Sequence, residues 1–273
     1  LIKNKNFFKK TRKLVNKTKI KVFSGNVPLK KIFSEKIDFT MSAVVGIAGL
    51  QPTVDAIKVS KTVALANKES IICGWHILEK LKKKYNTKFI PVDSEHFSIF
   101  YALNQNSKFN IKKIYLTASG GPLLNISNKK VNKLPIEKII KHPTWKMGKK
   151  ISIDSATLIN KIFELIEAKK IFNIDYFKFH IIIQPTSYVH AIVDFNNGVS
   201  KVLTHPTSMK IPIYNSLTNS FMKNHFTNDL NLNLMNNLKF QQIDKKKFPI
   251  DKIIKLIPNN DSLFETVLVS AND

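Results

Sequence analysis

Two carboxylates two residues apart, Asp93 and Glu95, follow the apolar run Phe89-Ile-Pro-Val92. If the backbone through them is extended, both side chains point to one side, because strand side chains repeat every second residue. Carboxylates converging at a strand end suit a hard divalent cation such as Mg²⁺ or Mn²⁺, which prefers oxygen ligands. Ser94 and His96 add polar groups beside them. The plainer reading is a solvated turn. A second polar cluster is Asn160, Lys161 and Glu164, spaced so that on a helix all three reach one patch. Its plainer reading is a surface ion pair between Lys161 and Glu164, contributing under about 1 kcal/mol. Ser155 stands at the expected start of the same helix, where free N–H groups favour a phosphate. The turn Ala118-Ser-Gly-Gly-Pro122 also offers backbone N–H groups to an anion. Trp145 and Met147, in the loop from His142 to Gly148, suit either a lid over a planar ring or simple loop anchors.

The elements that must position these groups are legible as alternating patterns. Lys19–Phe23 reads as a short strand, and Asn26 as the cap of a short helix through Ile37, with Pro28 in its first turn. Phe39–Val45 reads as a buried strand ending in the small-residue turn Gly46-Ile-Ala-Gly49. A helix over Pro52–Lys58 and a strand over Thr62–Ala66 follow, and Asn67-Lys-Glu-Ser70 opens a long helix to about Tyr85. Phe89–Val92 is then the strand that delivers Asp93. Strands and helices alternating at these lengths imply parallel β-α-β units, whose ligands bind outside the carboxyl ends of the strands. Ile114–Thr117 is a further strand. From Leu123 to Lys150 only Pro135–Lys141 reads as helical, and a stretch of that kind inside a domain is usually functional or disordered. Asp154–Thr157 caps a helix to about Ile171. Phe179–Ile183, Val189–Asp194 and Val199–Leu203 read as strands of a sheet covering the site. Met209–Leu217 is a helix start interrupted by Pro212, Thr218–Asn237 an Asn-rich linker, and Pro249–Ile257 and Ser262–Ala271 two short helices.

Composition narrows the function classes. At 273 residues and 43% hydrophobic content, the chain can bury a sizeable core. A net charge of +25 suggests nucleic acid, but Arg12 is the single arginine among 44 basic residues. Base and phosphate readers favour arginine for its bidentate fork. Abundant Lys, Asn, Ile and Phe fit a codon bias toward A and T, so nucleic acid is not the expected partner. Cys73 is the only cysteine, which excludes an internal disulfide and fits a reducing compartment. The apolar runs are far shorter than the ~20 residues of a membrane helix, so no membrane partner is expected.

Seven stretches in order resemble the 1-deoxy-D-xylulose 5-phosphate reductoisomerase family. They are Val45–Thr53, Ala64–Ser70, Pro91–His96, Ala118–Pro122, His142–Ser152, Asp154–Lys161 with Glu164, and Ser270–Asp273. The resemblance implies that Asp93, Glu95 and Glu164 are ligands for Mg²⁺, Mn²⁺ or Co²⁺. It implies substrate contacts at Lys68, Ser94, Glu95, Ser119, His142, Ser155, Asn160, Lys161 and Glu164, with Ser119, Ser155, Asn160 and Lys161 around the phosphate. Lys68, Glu95, His142 and Glu164 take the catalytic roles. Asn67, Glu69, Met147 and Gly148 match positions at NADPH, and Trp145 with Met147 matches a flap that closes over substrate and nicotinamide. The implied reaction is the metal-assisted rearrangement and NADPH-dependent reduction of 1-deoxy-D-xylulose 5-phosphate, a step toward isoprenoid precursors.

The implied fold class is α/β. A truncated Rossmann-like NADPH domain spans residues 1–92, and an α/β catalytic domain spans 93–222 with its flap at about 119–150. A linker over 223–243 leads to the start of a C-terminal helical domain over 244–273. The family's glycine-rich dinucleotide loop does not precede Gly46, and the chain is expected to be a fragment or a truncated gene product, homodimeric when complete. An inactive remnant that keeps only metal or partner binding is the alternative. The expected compartment is the bacterial cytoplasm, with the plastid stroma the eukaryotic counterpart. Two departures stand out: Ile162 replaces the family's usual Gly, and Gln184 replaces the His that opens its H-P-Q-S turn.

Overall fold

The computed structural model describes residues 2–25, 27–104, 110–131, 133–218, 230–258 and 263–273. Helix α1 (Lys5–Leu14) comes first, capped by Asn4, whose side chain accepts the N–H groups of Asn6 and Phe7. The strand expected at Lys19–Phe23 does not form. Its alternating pattern meets only an isolated bridge between Ile2 and Ser24, and alternation without a hydrogen-bonding neighbour does not hold a strand. Helix α2 (Leu29–Ile32) is a single turn after Pro28, much shorter than expected. The proposed cap Asn26 lies outside the described residues.

The next alternation builds a three-stranded parallel sheet from β1 (Ile37–Ser42), β2 (Ser60–Leu65) and β3 (Lys88–Pro91), in that order. Ser42 pairs with Leu65 and Leu65 with Pro91, so all three strands end at one edge. Helix α3 (Leu50–Val59) connects β1 to β2, and α4 (Lys68–Tyr85) connects β2 to β3. Asn67 caps α4 by accepting the Ser70 N–H at 2.6 Å. Lys82, Lys83 and Lys84 occupy its last turn, and left-handed Asn86 ends it. Ile57, Val63, Leu65, Ile71 and Leu78 form the core of this layer.

Asp93 and Glu95 are not at an extended strand end. They start α5 (Ser94–Asn104): the Glu95 N–H points to Asp93 Oδ1 at 3.3 Å, and the Phe97 N–H to the Asp93 carbonyl at 2.7 Å. An Asp immediately after a strand caps the following helix more readily than it continues the strand. Strand β4 (Ile111–Ala118) opens a second sheet, and short α6 (Asn128–Val131) and α7 (Ile136–Ile139) follow.

The single helix expected from Asp154 is two. Helix α8 (Lys149–Ala156) ends in a break at Leu158, whose φ is 62°, and α9 (Ile159–Phe172) starts afresh. Ser155 is therefore at the end of α8 and not at a helix N-terminus. Strands β5 (Phe179–Ile183), β6 (Val189–Phe195) and β7 (Ser200–Thr204) complete the second sheet in the order β5-β4-β6-β7. Only β4 and β5 run parallel, and β6 is antiparallel to both β4 and β7. Helix α10 (Lys210–Leu217) tolerates Pro212 in its first turn, where the N–H has no partner to lose. Helices α11 (Leu232–Asn236), α12 (Ile250–Ile254) and α13 (Phe264–Asn272) follow. Phe248, Ile250, Ile257 and Val269 share one core with Ile114, Leu116, Phe163 and Leu165. Ile162, fully buried, belongs to that core too, so its side chain fills space there. Among the described residues no helix is long and apolar enough to cross a membrane.

Candidate active site

The chain segments that follow β2, β3 and β4 open on one cavity of about 320 Å³. Lys68 enters from the first turn of α4, Asp93 and Glu95 from the start of α5, Ser119 from the end of β4, and Asn160, Lys161 and Glu164 from α9. Lys68 Nζ lies 3.0 Å from Asp93 Oδ2, 2.9 Å from Asn160 Oδ1 and 3.5 Å from Glu164 Oε1. Lys161 Nζ bridges Glu95 Oε1 and Glu164 Oε2, the latter at 2.7 Å. Asn160 donates to the other Glu164 oxygen, and Ser94 donates to Glu95. Glu164 is 2% exposed, so the Lys161–Glu164 contact is not the surface pair that spacing alone allowed.

Burial sets the charge states. It pushes the Glu95 carboxyl up to about 8, helped by Glu164 and opposed by Lys161. Burial also works against the Asp93 carboxylate, but Lys68 and His96 outweigh it and hold the group well below its usual range. For Lys161, burial is outweighed by Glu164 and Glu95, which keep the ammonium charged.

Oxygens of Asp93, Glu95 and Glu164 lie within 4.8 Å of one another. Opposite ligands of Mg²⁺ are about 4.2 Å apart, so small side-chain shifts suffice for one ion to reach all three. The donor set is all carboxylate oxygen, which suits a hard divalent cation. A dication there would also offset the Glu164 repulsion that adds to burial in raising Glu95. The residues present therefore fit a metal.

Asp93, His96 and Glu167 form a second acidic grouping behind the first. His96 Nε2 donates to the Glu164 carbonyl at 2.8 Å, and its Nδ1 faces Glu167 Oε2 at 3.3 Å and Asp93 Oδ1 at 3.4 Å. Burial opposes charge on this ring, but Glu167 and Asp93 outweigh it and raise it to about 9. In that charge state the ring braces Glu167 and Asp93.

His142 Nδ1 accepts the N–H groups of Trp145 at 3.0 Å and Thr144 at 3.2 Å. Its proton must then sit on Nε2, which donates to Ser119 Oγ at 2.9 Å. Ser119 Oγ also accepts the Gly121 N–H at 3.0 Å, which leaves the serine proton free to point into the cavity. Burial, with Lys161 nearby, pushes His142 down to about 4, so the ring is neutral at ordinary pH. Trp145 sets its edge on His190 at 6.0 Å, and His190 stacks on His205 at 3.6 Å.

Residues 1–74 match the family described as 1-deoxy-D-xylulose 5-phosphate reductoisomerase, and residues 89–172 match that enzyme's C-terminal domain. The reductoisomerase of Pelagibacter ubique is 52% identical over 275 residues, taking in 100% of this chain and 71% of that protein. The chain belongs to the 1-deoxy-D-xylulose 5-phosphate reductoisomerase family. The Wolbachia pipientis reductoisomerase is 39% identical, over 96% of this chain and 66% of that protein. The Zymomonas mobilis reductoisomerase, solved with NADPH, superposes with a TM-score of 0.86 at 29% identity, over 99% of this chain and 72% of that one. A reductoisomerase solved with NADPH, fosmidomycin and magnesium gives 0.79 at 33% identity, over 92% and 65%. The chain thus spans 65% to 72% of the length of these relatives.

Of the positions singled out by likeness to the reductoisomerases, Lys68, Asp93, Ser94, Glu95, Ser119, His142, Trp145, Met147, Gly148, Ser155, Asn160, Lys161 and Glu164 all line the one cavity. Asn67 and Glu69 do not. The Asn67 side chain is spent on the α4 cap and on the carbonyls of Val44 and Gly46. Gln184 is also outside the cavity: its Oε1 accepts the Tyr188 N–H at 2.9 Å and its Nε2 reaches Thr186 at 2.7 Å, so it closes the turn before β6. Ser187 and His190, noted in the sequence only against the family's turn and strand pattern, line the cavity, as does Met209, and Glu167 lies behind it; none of the four was expected at the site. The signal for Glu167 was present, since Lys161, Glu164 and Glu167 recur every third residue on one helix. The others come from strand edges and turns whose convergence no local pattern encodes.

Proposed function

We propose that the cavity converts 1-deoxy-D-xylulose 5-phosphate to 2-C-methyl-D-erythritol 4-phosphate, with NADPH and a divalent metal, in isoprenoid precursor biosynthesis. The observation that carries this reading is the convergence of Asp93, Glu95 and Glu164 beside Ser119, Ser155, Asn160 and Lys161 in one enclosed space. When bound on the three carboxylates, Mn²⁺ or Mg²⁺ supplies Lewis acidity toward the sugar's carbonyl and hydroxyl oxygens, and NADPH supplies hydride.

The chain's own residues do the rest. Lys161 and the amide of Asn160 bring donors to the phosphate, and Ser119 adds a hydroxyl whose direction His142 fixes. Ser155 adds a second hydroxyl from the end of α8. Lys68 holds Asp93 and Asn160 in place and faces the sugar. Trp145 and Met147 exclude water, and Met147 with Gly148 forms the wall toward the nicotinamide.

On this reading residues 1–92 form the cofactor side, 93–222 the metal and substrate side and 244–273 a helical segment; the linker expected over 223–243 falls partly outside the described residues, and its described part carries α11. The reading includes a homodimer acting in a bacterial cytoplasm.

NADPH oxidation by the folded chain, with deoxyxylulose phosphate and Mn²⁺, tests it. Absence of turnover would favour the inactive-remnant alternative. Glu164→Gln is expected to weaken Mn²⁺ binding and abolish turnover with the circular dichroism spectrum unchanged. Mn²⁺ affinity equal to the parent's would refute the ligand assignment.

A further inference from the structure

Ser155 lines the cavity from the last turn of α8, and its neighbour Asp154 is 6% exposed and not among the cavity residues. Asp154 Oδ1 accepts the side-chain amide of Asn272 at 2.9 Å, and its Oδ2 lies 3.0 Å from Lys150 Nζ. Lys150 also reaches Asp273 Oδ1 at 3.0 Å. Asn272 is the last residue of α13. The first turn of that helix is fastened to α9 and to the turn before β5: Glu265, 2% exposed, lies 3.6 Å from Lys170 Nζ and 3.4 Å from the Tyr176 hydroxyl. From the other side, Gly121 presses on Ser155 so closely that a Cβ there would lie 2.7 Å from the Ser155 carbonyl oxygen. The end of α8 is thus held between the Ser119–Gly121 turn and α13, across the break at Leu158 from Asn160 and Lys161.

We propose that Asp154 and Asn272 are positioning residues that set Ser155 against the phosphate of the substrate, so that α13 shapes phosphate affinity without touching the ligand. The inference rests on reading the cavity as a sugar-phosphate site. Its physical basis is that a buried carboxylate draws the donors it needs toward it. With the Asn272 amide gone, Asp154 turns toward its remaining partner Lys150, which is more exposed, and carries the backbone of Ser155 with it.

The test compares the full chain with Asn272→Ala, Asn272→Ser and the exchange pair Asp154→Asn with Asn272→Asp, which restores an amide–carboxylate bond in the opposite sense. Calorimetry reads the affinity for deoxyxylulose phosphate and, separately, for Mn²⁺. Hydrogen exchange reads the amides of residues 155–161. Loss of the Asn272 amide is expected to weaken sugar-phosphate binding about tenfold, the size of one hydrogen bond to a charged group. It should speed exchange over 155–161 and leave Mn²⁺ affinity unchanged, and the exchange pair should recover most of the loss. Unchanged sugar-phosphate affinity, parallel loss of Mn²⁺ affinity, or no recovery in the exchange pair would overturn the proposal. If the parent chain binds no deoxyxylulose phosphate, the functional reading fails, and unaltered exchange over 155–161 in the variants would separately refute the clamp. Should Asn272→Ala fail to fold, Asn272→Ser and the exchange pair carry the same comparison.

Discussion

His142 shows how little a residue's type says about its chemistry. A histidine beside a serine suggests a base that withdraws the serine proton, yet here the ring donates to the serine. Two backbone N–H groups hold its Nδ1 as an acceptor, and burial keeps the ring neutral. With the folded value depressed to about 4 from 6.5, the neutral ring contributes stability that is full above about pH 6.5 and lost as pH falls toward 4. A nuclear magnetic resonance titration of the His142 ring is expected to show no midpoint between pH 5 and 8; a midpoint near 6.5 would mean that burial and Lys161 do not hold the ring neutral. At this scale the sequence was informative for charged residues with helical spacing, such as Asn160, Lys161 and Glu164. It marked His190 only as a residue kept from the family pattern and did not foresee its stack on His205, which follows β7 where that strand pairs with β6.

At the scale of elements, the break between α8 and α9 separates Ser155 from Asn160 and Lys161 by a turn in place of a continuous helix. Leu158 makes that turn in a left-handed conformation while 1% exposed. The conformation costs a leucine about 1–2 kcal/mol, whereas emptying a fully buried leucine site costs about 2–5 kcal/mol. Leu158→Gly is therefore expected to destabilise the chain, by about 1–3 kcal/mol in urea unfolding, even though it relieves the backbone. An increase in stability would mean that strain outweighs packing there. No sequence rule foresaw this break, because the residue that makes it is neither Gly nor Asn. By contrast, β2, α4 and β3 were legible nearly to the residue, since a polar cap at Asn67, basic residues in the last turn and Asn86 mark both ends of α4. Helix α5 went unread because its cap, Asp93, directly follows a strand and its apolar residues scarcely segregate to one face.

Across the whole molecule, two sheets of different construction meet at one cavity, and α13 closes the far side of the helices that line it. The parallel sheet could be inferred from alternation. The second could not be assembled in advance, since β4 pairs with β6 across a separation of more than seventy residues. Because Lys68 and Lys161 already satisfy the three carboxylates, stripping metal is not expected to unfold the chain. A cooperative melt should persist with chelator, and Mn²⁺ at about a hundredfold above its dissociation constant should add about 2.7 kcal/mol. A chelated chain without a cooperative melt would show that the lysines do not stand in for the ion. That substitution has a further consequence. On the proposed ligand set, an ion at Asp93, Glu95 and Glu164 would compete with the ammonium groups of Lys68 and Lys161, and a Lys161 set free of Glu95 and Glu164 would remain in the cavity that Asn160 and Ser155 also line. Cation and anion would then be linked ligands: if one's arrival improved the other's binding, thermodynamic reciprocity would make the factor the same in both directions.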